Sequence, residues 1–165
     1  MKYPFLDLKD AVASDRDEIV EAVTRVIDSG RYIGGPENET FENRLAKALG
    51  VGHAVGTANG LDALRLIFRA YLELGELKSG DEVIVPANTY IASVLAISDC
   101  GLRPKFVEPD ESTMNLDWSR VEDAVSERTR AVMTVHLYGR ISWNEEVVSR
   151  LRRRGILIVE DNAQA

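Results

Sequence analysis

Apolar positions along the chain change their period once. Up to about residue 50 they recur at helical spacing; beyond it, short apolar runs alternate with helical stretches. Ile19, Val20, Val23, Val26 and Ile27 share one face of an amphipathic helix. Ser14 opens this helix, with Asp17 three residues on as a capping partner, and Gly30 ends it. The Arg31-Tyr32-Ile33-Gly34-Gly35-Pro36 stretch has turn chemistry. Phe41, Leu45 and Leu49 mark a second helix from about Glu37, stopped by Gly50. Ahead of both, residues 1–13 read as an extended arm, because Pro4 precedes the apolar residues Phe5, Leu6 and Leu8.

From residue 54 the pattern predicts strands at 54–58, 82–85, 104–108, 131–135 and 156–159. Helices fall between them: one carrying Leu61, Leu64, Leu66, Ile67 and Tyr71, then 92–98, about 118–125 and about 145–154. Strands alternating with helices at this spacing imply an α/β fold, a mostly parallel sheet with helices on both faces. No repeat, low-complexity segment or linker divides residues 14–165.

Composition narrows the function without naming it. The 165 residues are 45% hydrophobic and 28% charged, an ordinary globular mixture. The formal net charge of −7 argues against a nucleic-acid or anionic-membrane surface. One cysteine, Cys100, permits no intrachain disulfide, and acids stand where a signal peptide would be apolar. The expectation is a cytoplasmic protein with no membrane span, no nucleic-acid partner and no metal. Arg152, Arg153 and Arg154 read as a solvated helix C-terminus.

Candidate chemistry collects where strands end. Ile156-Leu157-Ile158-Val159 is a buried strand running into Glu160 and Asp161, with Gln164 three residues on. Thr57-Ala58-Asn59-Gly60 joins a strand to a helix; its small residues expose backbone amides at a helix N-terminus, which suits an anion. Asn88, Thr89 and Tyr90 follow the next strand, and Tyr90 could stack on a flat ligand. His136 and Tyr138 follow a fourth. Asp161 is either a helix cap or the charge partner of a protonated ring nitrogen, as pyridoxal phosphate enzymes use. A phosphate turn, a stacking ring and an acid at one sheet edge suit a flat phosphorylated pyridine.

Several blocks together carry a resemblance. Pro4-Phe5-Leu6-Asp7-Leu8, Gly34-Gly35-Pro36, Thr57-Ala58-Asn59-Gly60-Leu61-Asp62-Ala63-Leu64, Gly80-Asp81-Glu82-Val83-Ile84-Val85-Pro86, Asn88-Thr89-Tyr90, Val135-His136-Leu137-Tyr138-Gly139 and Glu160-Asp161-Asn162-Ala163-Gln164-Ala165 occur in order. The chain so resembles the DegT/DnrJ/StrS family of pyridoxal-phosphate-dependent nucleotide-sugar aminotransferases. The resemblance implies an aspartate aminotransferase-like large domain of fold type I, incomplete in this chain: an arm at 1–13, then the N-terminal part of the cofactor-binding domain at 14–165. It implies that Ala58, Asn59 and Gly60 hold the cofactor phosphate, that Tyr90 stacks on the ring, that Asp161 pairs with the ring nitrogen and that Gln164 bonds the phenolic oxygen. His136 is a further catalytic candidate; Tyr32 and Asn88 are candidate substrate contacts. A homodimer with shared active sites is implied, in which the 31–36 loop lies beside the partner's cofactor. The implied reaction takes an amino group from an amino acid, usually glutamate, to a keto-sugar nucleotide, and the phosphate block looks most like members that aminate the 3-position.

One departure is large. The family's Schiff-base lysine lies past the aspartate block, and none of Lys2, Lys9, Lys47, Lys78 and Lys105 matches it. The 165 residues are therefore expected to be inactive alone. Two alternatives stand beside the enzyme reading: a truncated fragment or binding module, and the same scaffold with lyase or dehydratase chemistry.

Overall fold

The computed structural model describes residues 7–165. Residues 1–6 of the expected arm lie outside the described residues. The chain divides into two compact units, Met1–Gly56 and Thr57–Ala165.

The first unit is helical. A short helix α1 (Leu8–Ala11) is capped by Asp7, whose carboxylate accepts from the amides of Lys9 and Asp10 at 3.1 Å. This part of the expected extended arm is therefore helical. Helix α2 (Arg16–Ser29) is capped one residue later than expected: Asp15 is its N-cap, and neither it nor Ser14 supplies a capping side chain. Gly30, at φ 65°, closes α2 in the left-handed conformation that glycine adopts without steric cost. Helix α3 (Pro36–Leu49) starts with proline at N1, where the missing N–H costs nothing, and Gly50 ends it. The predicted stripe on α2 exists but is uncovered: Ile19, Val20, Val23 and Ile27 are all exposed.

The second unit holds α4 (Gly60–Glu73), β1 (Glu82–Pro86), α5 (Ile91–Asp99), β2 (Arg103–Val107), α6 (Trp118–Ala124), β3 (Thr129–Val135), α7 (Glu145–Arg153) and β4 (Leu157–Asp161). The strands form one sheet in the order β2-β1-β3-β4, and every pair is parallel. Alternation along each strand splits the core between two faces. Val83, Val85, Ala131, Met133 and Val159 pack with Leu64 and Phe68 of α4 and Ala96 and Ile97 of α5. Ile84 and Val132 pack on the other face with Trp118 and Val121 of α6 and Val147, Val148 and Leu151 of α7.

Four of the five expected strands are present. Residues 54–58 are not a strand, because no strand among the described residues runs beside them to take their backbone hydrogen bonds. The amide of Gly56 instead donates to the Glu42 carboxylate at 2.6 Å.

Strand order fixes where a ligand can enter. From β1 the chain moves outward to β2, then crosses back to β3 and β4 on the other side. The order reverses between β1 and β3, so a crevice opens outside their carboxyl ends, the usual ligand position in such sheets.

Candidate functional site

A cavity of about 450 Å³ lies in the second unit at the carboxyl edge of the sheet. The Asn59 turn and α4 supply Asn59, Gly60, Leu61 and Leu64; the β1–α5 junction supplies Tyr90 and Ala92. Val135 and Leu137 come from the end of β3, and Asp161, Ala163 and Gln164 from the end of β4. Five of the six cofactor residues expected from sequence thus meet in one space. The sixth, Ala58, lines a separate hollow with Thr57, Asp62, Arg65 and Arg69.

Local structure explains each placement. Asn59 is the N-cap of α4: its Oδ1 accepts from the Asp62 amide at 2.9 Å and its Nδ2 donates to the Asp62 carboxylate at 2.9 Å. Its side chain is thereby committed to the helix, whereas the Gly60 and Leu61 amides belong to the first turn and have no acceptor within the helix. A Cβ built on Gly60 meets nothing within 4 Å, so the backbone there faces open space. Tyr90 is the N-cap of α5 and is 71% exposed, a large ring held out at the edge.

Asp161 is the last residue of β4 and is only 8% exposed. Ser93 Oγ donates to its Oδ2 at 2.8 Å, and the Ala163 amide donates to its Oδ1 at 3.1 Å. No cation among the described residues pairs with it. Gln164 Oε1 accepts from the Tyr138 amide at 2.6 Å. Because a backbone amide can only donate, this contact sets the Gln164 side chain with its NH2 group free to donate elsewhere. Tyr138 adopts φ 54°, ψ 27°, an uncommon conformation for a side-chain-bearing residue and one that recurs at binding sites.

His136, the other catalytic candidate, does not line this cavity. Val135 and Leu137 line the cavity and the residue between them, at the junction of β3 with a 3-10 turn, does not. Its Nδ1 accepts from the Ser142 amide at 3.0 Å, so its proton sits on Nε2, 3.0 Å from the Glu160 carboxylate. Both ring nitrogens are spent on tying loop to strand. Asn88 also lies outside the cavity lining, and its Nδ2 donates to the Met114 carbonyl at 2.8 Å. Tyr32, in the first unit, is exposed on the 31–36 loop. Sequence reasoning missed Ser93, a buried polar residue of helix α5 three positions past Tyr90.

Comparison with known proteins places the chain in a family. The model of the DegT/DnrJ/EryC1/StrS aminotransferase family matches residues 13–165. The chain is 46% identical, over 98% of its length, to the dTDP-3-amino-3,6-dideoxy-alpha-D-galactopyranose transaminase of Aneurinibacillus thermoaerophilus. It is 49% identical, over 99% of its length, to the dTDP-3-amino-3,4,6-trideoxy-alpha-D-glucose transaminase of Streptomyces venezuelae. It superposes on NtdA of Bacillus subtilis, solved with bound cofactor PMP, with a TM-score of 0.88 at 30% identity, covering 99% of this chain and 37% of that one. The chain spans 44% and 42% of the lengths of the two transaminases, so it corresponds to less than half of each. It belongs to the DegT/DnrJ/EryC1/StrS aminotransferase family.

Proposed function

We propose that the full-length protein is a pyridoxal-phosphate-dependent aminotransferase. It takes an amino group from an amino acid, glutamate by expectation, and delivers it to a keto-sugar nucleotide at the 3-position. The observation that carries the reading is a buried, cation-free carboxylate, Asp161, sharing a cavity with an exposed ring and the open N-terminus of α4. The two similar transaminases, both named for 3-amino sugars, support the position.

The residues present fit a flat phosphorylated pyridine. The volume lies within the range of roughly 300–1,000 Å³ of small-molecule pockets. Free amides at Gly60 and Leu61, with the positive end of the α4 dipole, would hold the phosphate. In this assignment Ala58 contributes backbone, and the Asn59 side chain serves the helix rather than the ligand. Tyr90 would cover the ring. Asp161, with one hydrogen bond on each oxygen and lone pairs to spare, would hold a proton at the ring nitrogen. The NH2 of Gln164 would donate to the phenolic oxygen. Leu61, Leu64, Val135 and Leu137 would exclude water. Bound pyridoxal phosphate supplies a protonated ring that accepts the electron pair released when the donor's Cα–H bond breaks. The proposal also requires a lysine amine at this cavity, and no lysine among the described residues lines it.

A cytoplasmic homodimer completes the proposal. It is supported by the uncovered stripe of α2 and by the loop residues Tyr32 and Ile33, 68% and 95% exposed, since so much clustered apolar surface marks an interface. No described helix is long and apolar enough to cross a membrane. Light scattering of the full-length protein should give twice the monomer mass.

The activity is tested by incubating the full-length protein with pyridoxal phosphate, glutamate and a dTDP-linked 3-keto sugar. The expected products are the 3-amino sugar nucleotide and 2-oxoglutarate. Loss of water from the sugar without net amination would favour dehydratase chemistry instead.

A further inference from the structure

Ser93 is wholly buried on α5, between the cavity residue Ala92 and the core residues Ala96 and Ile97. A buried hydroxyl is costly unless it is hydrogen-bonded. In a helix the cheap solution is a bond back to a carbonyl of the preceding turn. Ser93 instead reaches across the fold to Asp161 Oδ2 at 2.8 Å. Its Oγ also lies 2.8 Å from Thr89 Oγ1. The Ser93 proton is committed to the carboxylate, so Thr89 donates, and the chain runs one way from Thr89 through Ser93 to Asp161. The Ala163 amide holds the other oxygen at 3.1 Å.

We infer that Ser93 is a positioning residue: it fixes the plane of the Asp161 carboxylate toward the cavity so that the acid can hold a proton at a heteroaromatic nitrogen. One helix then sets both partners, since Tyr90 caps α5 and Ser93 stands one turn further on. The inference rests on the aminotransferase reading of this cavity.

The test uses the full-length protein loaded with pyridoxal phosphate labelled with ¹⁵N in the ring, read by NMR, with cofactor affinity measured by fluorescence. Wild type should show a protonated ring nitrogen, and Asp161→Asn an unprotonated one. Ser93→Ala should move the resonance toward the unprotonated position and weaken cofactor binding roughly tenfold. Ser93→Thr, which keeps the hydroxyl, should restore the wild-type resonance even where the added methyl lowers thermal stability. Thr89→Val, at a half-buried position, should give a smaller shift in the same direction, and it carries the test if Ser93→Ala does not fold. A Ser93→Ala resonance and affinity equal to wild type, or an unmoved Thr89→Val resonance where that variant carries the test, would overturn the inference while leaving the reading intact. An unprotonated nitrogen in wild type would remove the role of Asp161, and the inference with it.

Discussion

Glu82 begins β1 at the amino edge of the sheet, Asp161 ends β4 at the carboxyl edge, and each is 8% exposed. Around Glu82 the fold gathers hydroxyls and two cations. The Ser126 hydroxyl lies at 2.6 Å, Arg128 Nη2 at 2.9 Å and Lys105 Nζ at 3.2 Å. The Ser126 hydrogen bond foremost, then the bonds from Arg128 and Lys105, push the Glu82 carboxyl down to about 2. Around Asp161 there are one hydroxyl, one amide and a cavity. Burying a carboxylate is costly, and a fold that does so for its own stability surrounds the group with opposite charge. Asp161, buried without a cation at the sheet's ligand edge, has lone pairs left facing the cavity. The contrast separates an acid tied to cations within the fold from one left open toward a cavity, the one to which we assign the ligand.

The largest expected effect concerns Asp161. In the full-length protein, Asp161→Asn should lower turnover on the order of a hundredfold or more, in line with losing an electrostatic contribution of roughly 3 kcal/mol. Its far-ultraviolet circular dichroism should stay unchanged. A variant within a few fold of wild type would reduce Asp161 to a turn-stabilising residue, like its bond to Ala163.

Glu82→Gln should do the reverse, lowering unfolding free energy by about 2–3 kcal/mol while leaving cofactor affinity intact. Since the folded-state value is depressed from 4.5 to about 2, the stabilisation is present above about pH 4.5 and is lost as pH falls toward 2. Wild type should therefore lose stability over that window more steeply than Glu82→Gln, as urea melts at several pH values would reveal. Equal slopes would mean that the amino-edge network contributes nothing.

A smaller effect is expected at Asn59. Replacing this N-cap by alanine should cost about 1 kcal/mol of stability. Cofactor affinity should fall only a few fold, because backbone rather than the Asn59 amide is assigned to the phosphate. Loss approaching that of Asp161→Asn would show that the side chain binds ligand directly.

These contrasts were unevenly legible in the sequence. Strands β1 and β3 were readable as short, largely buried runs, and β2 and β4 as β-rich segments between helical stretches. The run at residues 54–58 looked the same, but a strand also needs a neighbour, and periodicity reports only the chain's own faces. Tyr90, Asp161 and Gln164 were readable because each lies at or within four residues of the carboxyl end of a strand. His136 follows one too, yet its ring bonds to Glu160 and the Ser142 amide outside the cavity lining. Ser93 was illegible as a partner of Asp161 because the two lie 68 residues apart, joined only by the sheet's crossover. The Glu82 network is likewise long-range, drawing on β2 and on the residues just before β3.

The most direct test of the carboxyl-edge assignment is a crystal structure of the full-length protein soaked with pyridoxal phosphate. The account predicts density in the cavity beside Tyr90, with the ring nitrogen about 2.8 Å from the Asp161 carboxylate. The phosphate should rest on the first amides of α4. Cofactor bound elsewhere, or bound here with Asp161 turned away from the ring, would contradict it.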